Sequence, residues 1–298
     1  MTCLTYANLG SGSSGNAAVI AWGEGDRRRA ILVDLGLSPR RTRGGLAELG
    51  IDPTQVVASV LTHLDHDHYG RTWARSLVAR GIPVHVHVRH RREALARGVP
   101  EPCLAPFEDR FTLGGVFDAE AILADHDDVG SVALRLDGLG RRIGLATDLG
   151  HVPDRLLERF VGLDLLGLES NYCPDLQAAS DRPAFLKRRI TGGAGHLSNA
   201  EALAAARAIA DRSDLQHLVL LHLSRQCNRP ELVRSIFERG LPDLAERISI
   251  AAPRHTVGPL EIAPGQPRVS TRSSRSGSNA GSRPASAASC IDRQRSLW

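Results

Sequence analysis

The chain has 298 residues, 42% hydrophobic and 23% charged, the balance of a globular protein with a sizeable core in one large domain or two small ones. No apolar stretch reaches the length needed to span a bilayer, and the N-terminus lacks a basic start followed by an apolar run, so neither a membrane span nor a signal peptide is predicted and the expected compartment is the cytoplasm. The net charge of +4 does not mark a nucleic-acid binder, because six arginines and one acid from Gly265 onward carry +5 and leave the preceding body at about −1.

In chain order, residues 17–22 and 29–34 are strand-like and flank a turn rich in glycine and charge, which predicts a hairpin. Residues 40–49 read as a helix ended by Gly50, and residues 56–62 as a buried strand that delivers the chain into His63. A helix over 73–80 and a strand over 82–88 follow. The second half repeats the arrangement: a hairpin of 131–136 with 142–147 ends at Asp148, then come a strand over 164–169, a helix over 200–210 and a strand over 217–222. Two such halves predict an α+β architecture, two sheets packed face to face with helices outside. Residues 1–264 are expected to form this domain and 265–298 a disordered tail rich in arginine and serine. The five cysteines are scattered without a CxxC pair, which argues against both a disulfide framework and a cysteine zinc site.

The chemistry concentrates in residues 62–70, Thr-His-Leu-Asp-His-Asp-His-Tyr-Gly. His63, Asp65, Asp67 and His68, with His66 between them, lie on a loop fed by an apolar strand, and imidazole with carboxylate suits Zn, Mn or Fe. Three histidines and two aspartates beside a buried strand are hard to leave unpaired. His126, Asp148 and His222 recur at later strand ends and supply what two metal ions would need.

This segment resembles the metallo-β-lactamase signature T-H-x-H-x-D-H-x-G, and His126, Asp148 and His222 match that superfamily's later ligand positions in order. The resemblance is closer still to the YycJ-like (WalJ) branch. It is carried by residues 9–16 (Leu-Gly-Ser-Gly-Ser-Ser-Gly-Asn), 169–171 (Glu-Ser-Asn), 187–190 (Lys-Arg-Arg-Ile), 195–199 (Gly-His-Leu-Ser-Asn) and 221–224 (Leu-His-Leu-Ser). It implies a four-layer αββα sandwich, two divalent metal ions, and hydrolysis of phosphodiesters, with DNA as an exonuclease's substrate. In the implied arrangement His63, Asp65 and His126 hold one metal, Asp67, His68 and His222 the other, Asp148 bridges them, and a metal-bridging hydroxide oriented by Asp67 attacks phosphorus.

Asp65 stands where the signature has its second histidine. Its harder donor shifts the first site toward Mn or Fe, or weakens it. Three arrangements stay open: a carboxylate ligand at 65, a swing of His66 into the site, or a single-metal site.

Around this set, Asp34 ends a buried strand and is placed to hydrogen-bond the ligand loop. Ser13 and Asn16 belong to a glycine-rich loop that reads equally as a phosphate cradle and as a tight turn feeding a strand. Ser198 and Glu201 fit a capping box, which puts His196 and Asn199 at a helix start where His196 can contact a phosphate oxygen or protonate a leaving group. His85 and His87 alternate along one strand and are expected to be structural, and His90 receives no role. Two other readings compete: a lactonase- or glyoxalase-like (thio)ester hydrolase, and a non-catalytic module whose metal site decayed at Asp65. No membrane partner is expected, and nothing in the sequence specifies a subunit number.

Overall fold

The computed structural model describes residues 2–253 and 255–264. The hairpin expected near the start is the middle of a longer meander. β1 (Leu4–Gly10), β2 (Ala17–Trp22) and β3 (Arg29–Val33) pair antiparallel, and β4 (Val56–Leu61), β5 (Val84–His87) and β6 (Leu104–Phe107) then add in parallel. The second sheet opens antiparallel with β7 (Arg110–Leu113), β8 (Phe117–Ala124), β9 (Ser131–Gly138) and β10 (Arg141–Ala146). It continues in parallel through β11 (Leu165–Glu169), β12 (His217–Leu221) and β13 (Ile248–Ile250). β14 (Val257–Glu261) returns to pair with β1, so each sheet has seven strands.

The sheets face each other through one apolar layer. Ile20, Trp22, Ile31, Val33 and Val60 of the first meet Ala121, Val132, Leu134, Leu145 and Val219 of the second. Alternate residues of the same strands point outward: Val19, Ala21 and Leu32 pack beneath α1 (Pro39–Glu48), α2 (Ala74–Arg80) and α3 (Arg91–Arg97) through Leu46, Leu77 and Ala94. With both faces covered, these strands read as near-continuous apolar runs, and each fully buried large side chain contributes about 1.5–3 kcal/mol.

On the far side, α4 (Asp154–Arg159) contributes Leu156 to the outer apolar layer of the second sheet. α5 (Pro174–Ala179) and α6 (Ala184–Thr191) instead form a small cluster, Leu176, Leu186 and Ile190 against Tyr172 and Cys227. α7 (Asn199–Ala210) and α8 (Pro230–Gly240) complete the outer layer with Ala202, Ala206, Val233 and Phe237. The four-layer αββα sandwich is therefore present. Local chemistry sets the helix ends as read: the Ser38 side chain accepts from Arg41 N ahead of Pro39, and the Ser198–Glu201 capping box closes on α7.

Three elements differ in extent from the sequence reading. Trp73 lies in a 3₁₀ turn ahead of α2, the strand over 82–88 is confined to β5, and β1, lying between β14 and β2, is a strand that was not expected. The tail expected from Gly265 lies outside the described residues. No helix among the described residues is long and apolar enough to cross a membrane. Cys103, Cys173 and Cys227 are buried free thiols and Cys3 is a half-buried one.

Candidate active site

The site lies at one end of the sandwich, where strands from both sheets run out. β3 leads to Asp34, β4 through Thr62 to His63, β10 through Thr147 to Asp148, β11 ends at Glu169, and β12 leads to His222. Asp34, Asp148 and His222 take left-handed backbone angles, φ 64°, 55° and 54°. Such angles cost energy in non-glycine residues and persist where the surroundings over-determine them. Here they turn the chain at each strand end. Thr62 O accepts from Val132 N at 3.0 Å and stitches the two sheets together beside the site.

The ligand loop is fixed from beneath. Asn16 N donates to Asp67 O (2.7 Å), Leu35 N to His68 O (2.8 Å) and Gly70 N to Leu35 O (3.0 Å). Gly36 makes this approach possible: a Cβ there would lie 1.7 Å from Asp67 O. The Asn16 side chain reaches up to Asp67 Oδ2 (3.2 Å) and His68 Nε2 (2.8 Å), while its Oδ1 accepts from Gly12 N (2.8 Å). The glycine-rich loop is thus a tight turn that braces the ligands. Its buried Ser11 also accepts from His222 N at 2.8 Å. Ser13 is exposed and lines a cavity above the cluster.

Three imidazoles have their Nδ1 edges committed outward, which turns Nε2 to the centre. His68 Nδ1 donates to Asp34 Oδ2 (2.8 Å), His126 Nδ1 to Gly195 O (2.8 Å), and His63 Nδ1 to Thr62 Oγ1 (3.1 Å). Asp34 also accepts from Thr62 N and Thr62 Oγ1, at 2.8 and 3.0 Å, and so orients the loop as expected. Asp148 touches two rings of the cluster, with Oδ2 3.0 Å from His68 Nε2 and Oδ1 3.2 Å from His222 Nδ1.

Donor atoms of His63, His126 and Asp148 lie within 4.8 Å of one another, as do those of Asp67, His68 and His222. The buried His63 Nε2 has no hydrogen-bond partner. A buried unpaired nitrogen facing two further donors fits a divalent cation, since an unpaired buried polar atom costs about 1–3 kcal/mol. The donors of the first trio therefore fit a divalent metal ion, and Asp67, His68 and His222 form a second candidate set.

Asp65 meets that first trio only at His126. Its carboxylate groups with His126 and Asp127, is 38% exposed, and lies 3.9 Å from Arg97 Nη2. His66 does not replace it, because its side chain is 82% exposed. Burial pushes the His63 ring well below the ordinary histidine range. Burial acts the same way on His68 and His222, but the carboxylates of Asp34 and Asp148 raise His68 and Asp148 raises His222, to about 10. Asp67 and Asp148 are held far below the usual carboxylate range: burial opposes this, and the His222 and His68 rings outweigh it.

Glu169 is the site residue that sequence reasoning left without a role. It is fully buried; Oε2 accepts from Leu149 N (2.8 Å) and Oε1 from His196 Nδ1 (2.7 Å). An acid closing an otherwise apolar strand was the available signal. Burial lowers the His196 value, but Glu169 outweighs it and leaves His196 raised, with its ring lining the cavity. Although donors of Asp148, Glu169, His196 and His222 also fall within 4.8 Å of one another, the direct Glu169–His196 bond occupies that pair.

Asn199 does not face the cavity. It bonds Ser170 Oγ (2.8 Å) and Asn228, whose Nδ2 in turn donates to Asn171 O at 2.9 Å, and so supports the loop carrying Asn171 beside His222. His85 and His87 pack on Phe111 and Phe107 as structural residues. His90, which had no expected role, donates from Nε2 to Gly130 O (2.9 Å) under the loop that follows His126.

Two cavities open over the cluster, about 620 and 310 Å³, and meet at Asp65, His126, Asp127 and Arg189. Arg89, Arg92 and Arg97 line the larger and Arg182 the smaller.

Residues 29–223 match the family model described as a β-lactamase superfamily domain, and the chain belongs to that family. Among its relatives is exodeoxyribonuclease YycJ of Bacillus anthracis, 27% identical over 263 residues that cover 86% of this chain and 96% of the relative. Exodeoxyribonuclease WalJ of Streptococcus pneumoniae is 28% identical over 235 residues, 76% of this chain and 84% of the relative. The crystal structure of the metallo-β-lactamase fold protein YhfI from Bacillus subtilis superposes with a TM-score of 0.61 at 19% identity, over 86% of this chain and 99% of that one.

Proposed function

We propose that this protein is a metal-dependent phosphodiesterase that acts on DNA as an exonuclease. The observation that carries the reading is a convergent donor cluster, with His63 Nε2 unpaired, lying where two arginine-lined cavities meet. Arginine matches the phosphate diester's charge and its paired oxygens, whereas a neutral lactone or thioester has no use for it. The relatives named as exodeoxyribonucleases support the same substrate.

His63, His126 and Asp148 would hold one divalent cation, with Asp65 beside it, and Asp67, His68 and His222 the other, with Asp148 facing both. Zn or Mn suits the donor set, and the carboxylate at 65 admits Fe. When bound, two such ions supply an acidified water and charge neutralisation at the phosphate. The chain's own groups do the rest. Asp67 accepts from Asn16 and stays ionised, so it orients the attacking water by accepting its proton in a hydrogen bond. His196, oriented by Glu169, presents its other nitrogen to the cavity and gives a proton to the departing sugar oxygen. Arg182 and Arg189 hold the non-bridging oxygens against the cluster.

Purified protein supplied with Mn or Zn is expected to shorten end-labelled single- and double-stranded oligonucleotides and to hydrolyse bis(p-nitrophenyl) phosphate. Turnover of lactones or thioesters far above that of both phosphodiesters would reverse the assignment. A protein that retains no metal after supplementation would instead mark a decayed site.

A further inference from the structure

We infer that α6 is a grip for single-stranded DNA, with Phe185 stacking on a base beside the site and Arg188 holding the adjoining backbone. The substrate class rests on the function proposed above; the placement rests on the helix. Among the phenylalanine, tyrosine and tryptophan rings of the described residues, Phe185 is the one that is exposed, at 66%. Its neighbours Leu186 and Ile190 anchor α6 to Tyr172 and Cys227, so the ring is left out by the register of the helix rather than by lack of an apolar partner nearby. Residues i and i+4 share a helix face, and the partner of Phe185 at that spacing is Arg189, whose side chain lines both cavities. Phe185 lines neither cavity itself and stands one helical turn from Arg189, the α6 residue common to both.

The helix itself is one-sided in charge, with Asp181 just ahead of it. Residues 182–189 contain Arg182, Lys187, Arg188 and Arg189 and no acid. Arg189 pairs with Asp127, but Arg182 is held by the neutral groups of Gln177, Gln226 and Ser224, and Lys187 by Ala178 O. Arg188 is exposed and has no acidic partner among the described residues. An exposed ring interleaved with uncompensated cations next to a phosphodiester site is the chemistry by which single strands are held: bases stack in any sequence, and cations follow the backbone. The near-neutral net charge of the body is consistent with this, because the attraction is local to one helix. A duplex interior offers no free base face, so the grip favours single strands and frayed ends.

The test places a reporter on α6 of the full-length protein. In the variant Phe185→Trp, read as the difference from wild type so that the native Trp22, Trp73 and Trp298 cancel, binding of a single-stranded phosphorothioate 12-mer that resists cleavage is expected to quench the added tryptophan. Phe185→Ala is expected to weaken that binding by about 5- to 150-fold, the effect of one lost base stack. It should also lower kcat/KM for the oligonucleotide relative to that for bis(p-nitrophenyl) phosphate, with the melting temperature unmoved because the ring is exposed. Arg188→Gln is expected to reduce the salt slope of binding by roughly 0.7, one phosphate contact on a single strand. Equal affinity of wild type and Phe185→Ala, with no quench in Phe185→Trp, would overturn the inference. So would a tryptophan response to anionic phospholipid vesicles or to protein concentration but not to the oligonucleotide. The two claims fail separately: binding without cleavage of any diester sinks the proposed activity alone, and diester cleavage with Phe185-independent binding sinks the grip alone.

Discussion

Asp34 carries no reacting atom, yet it fixes the tautomer of His68 and the position of Thr62 through three accepted hydrogen bonds. Outer partners of this kind typically govern metal affinity by about 10–100-fold. Asp34→Ala is accordingly expected to raise the Kd for Zn or Mn by that factor, read by competition with a chelating dye, with a smaller change in far-UV circular dichroism. Asp65 makes the opposite case. It groups with His126 and Asp127, 3.9 Å from Arg97, and leaves His63, His126 and Asp148 as a three-donor set. Asp65→His restores a soft donor to that trio, so the second equivalent of Zn is expected to bind more tightly than in wild type, measured by calorimetric titration. A variant with unchanged second-site affinity would show that residue 65 does not reach the metal. Of the seven candidate positions read from the sequence, His63, Asp67, His68, His126, Asp148 and His222 converge in two donor sets and Asp65 does not join either; histidines and aspartates clustered at strand ends have few structural excuses. Glu169 was not legible, because one buried acid in an apolar strand has many, and only its bonds to Leu149 N and His196 distinguish it.

The elements that carry these residues differ in how openly the sequence announces them. β2, β3, β4 and β12 are continuous apolar runs and are read directly. β1 is broken by Thr5 and Asn8, and its place inside the sheet edge follows from pairing with β2 and β14, partners far apart in the chain. α3 and α6 are short, and their apolar residues are too few to show a helical period. The contact that matters most is likewise non-local. Gly36 lets residues 16 and 67 close on each other, and nothing in the local sequence separates it from an ordinary turn glycine. Gly36→Ala puts a methyl group into Asp67 O, so the ligand loop has to move. It is expected to lose most diesterase activity and to lower metal affinity. Its stability cost should exceed the ~1 kcal/mol typical of a point substitution, seen as an earlier urea midpoint. Ser198→Ala, a cap on the same side of the molecule, is expected to cost about 0.5–2 kcal/mol while leaving the metal titration in place.

For the molecule as a whole, the site is where two sheets that pack well elsewhere are made to converge on unlike charges. Metal-free, the cluster is held together by protons: burial disfavours the charged His222 ring, but Asp148 and the acids around it outweigh burial and raise it to about 10, and His68 is raised too. A histidine raised in the folded state stabilises it fully below the ordinary value near 6.5 and ceases to do so as pH climbs to the folded value. The metal-free protein is therefore expected to lose stability between about pH 6.5 and 10, the window set by His222. A cation must displace those protons, so its affinity rises over the same window. Binding to the folded chain alone stabilises it by about 2.7 kcal/mol at a hundredfold excess over Kd, which in a domain of this size is roughly 5–11 °C in Tm. The predicted signature is a chelator-reversible rise of that size on adding Zn or Mn, larger at pH 8.5 than at pH 6.5. A shift that is equal at both pH values, or larger at the lower one, would mean that the cations bind away from His68 and His222.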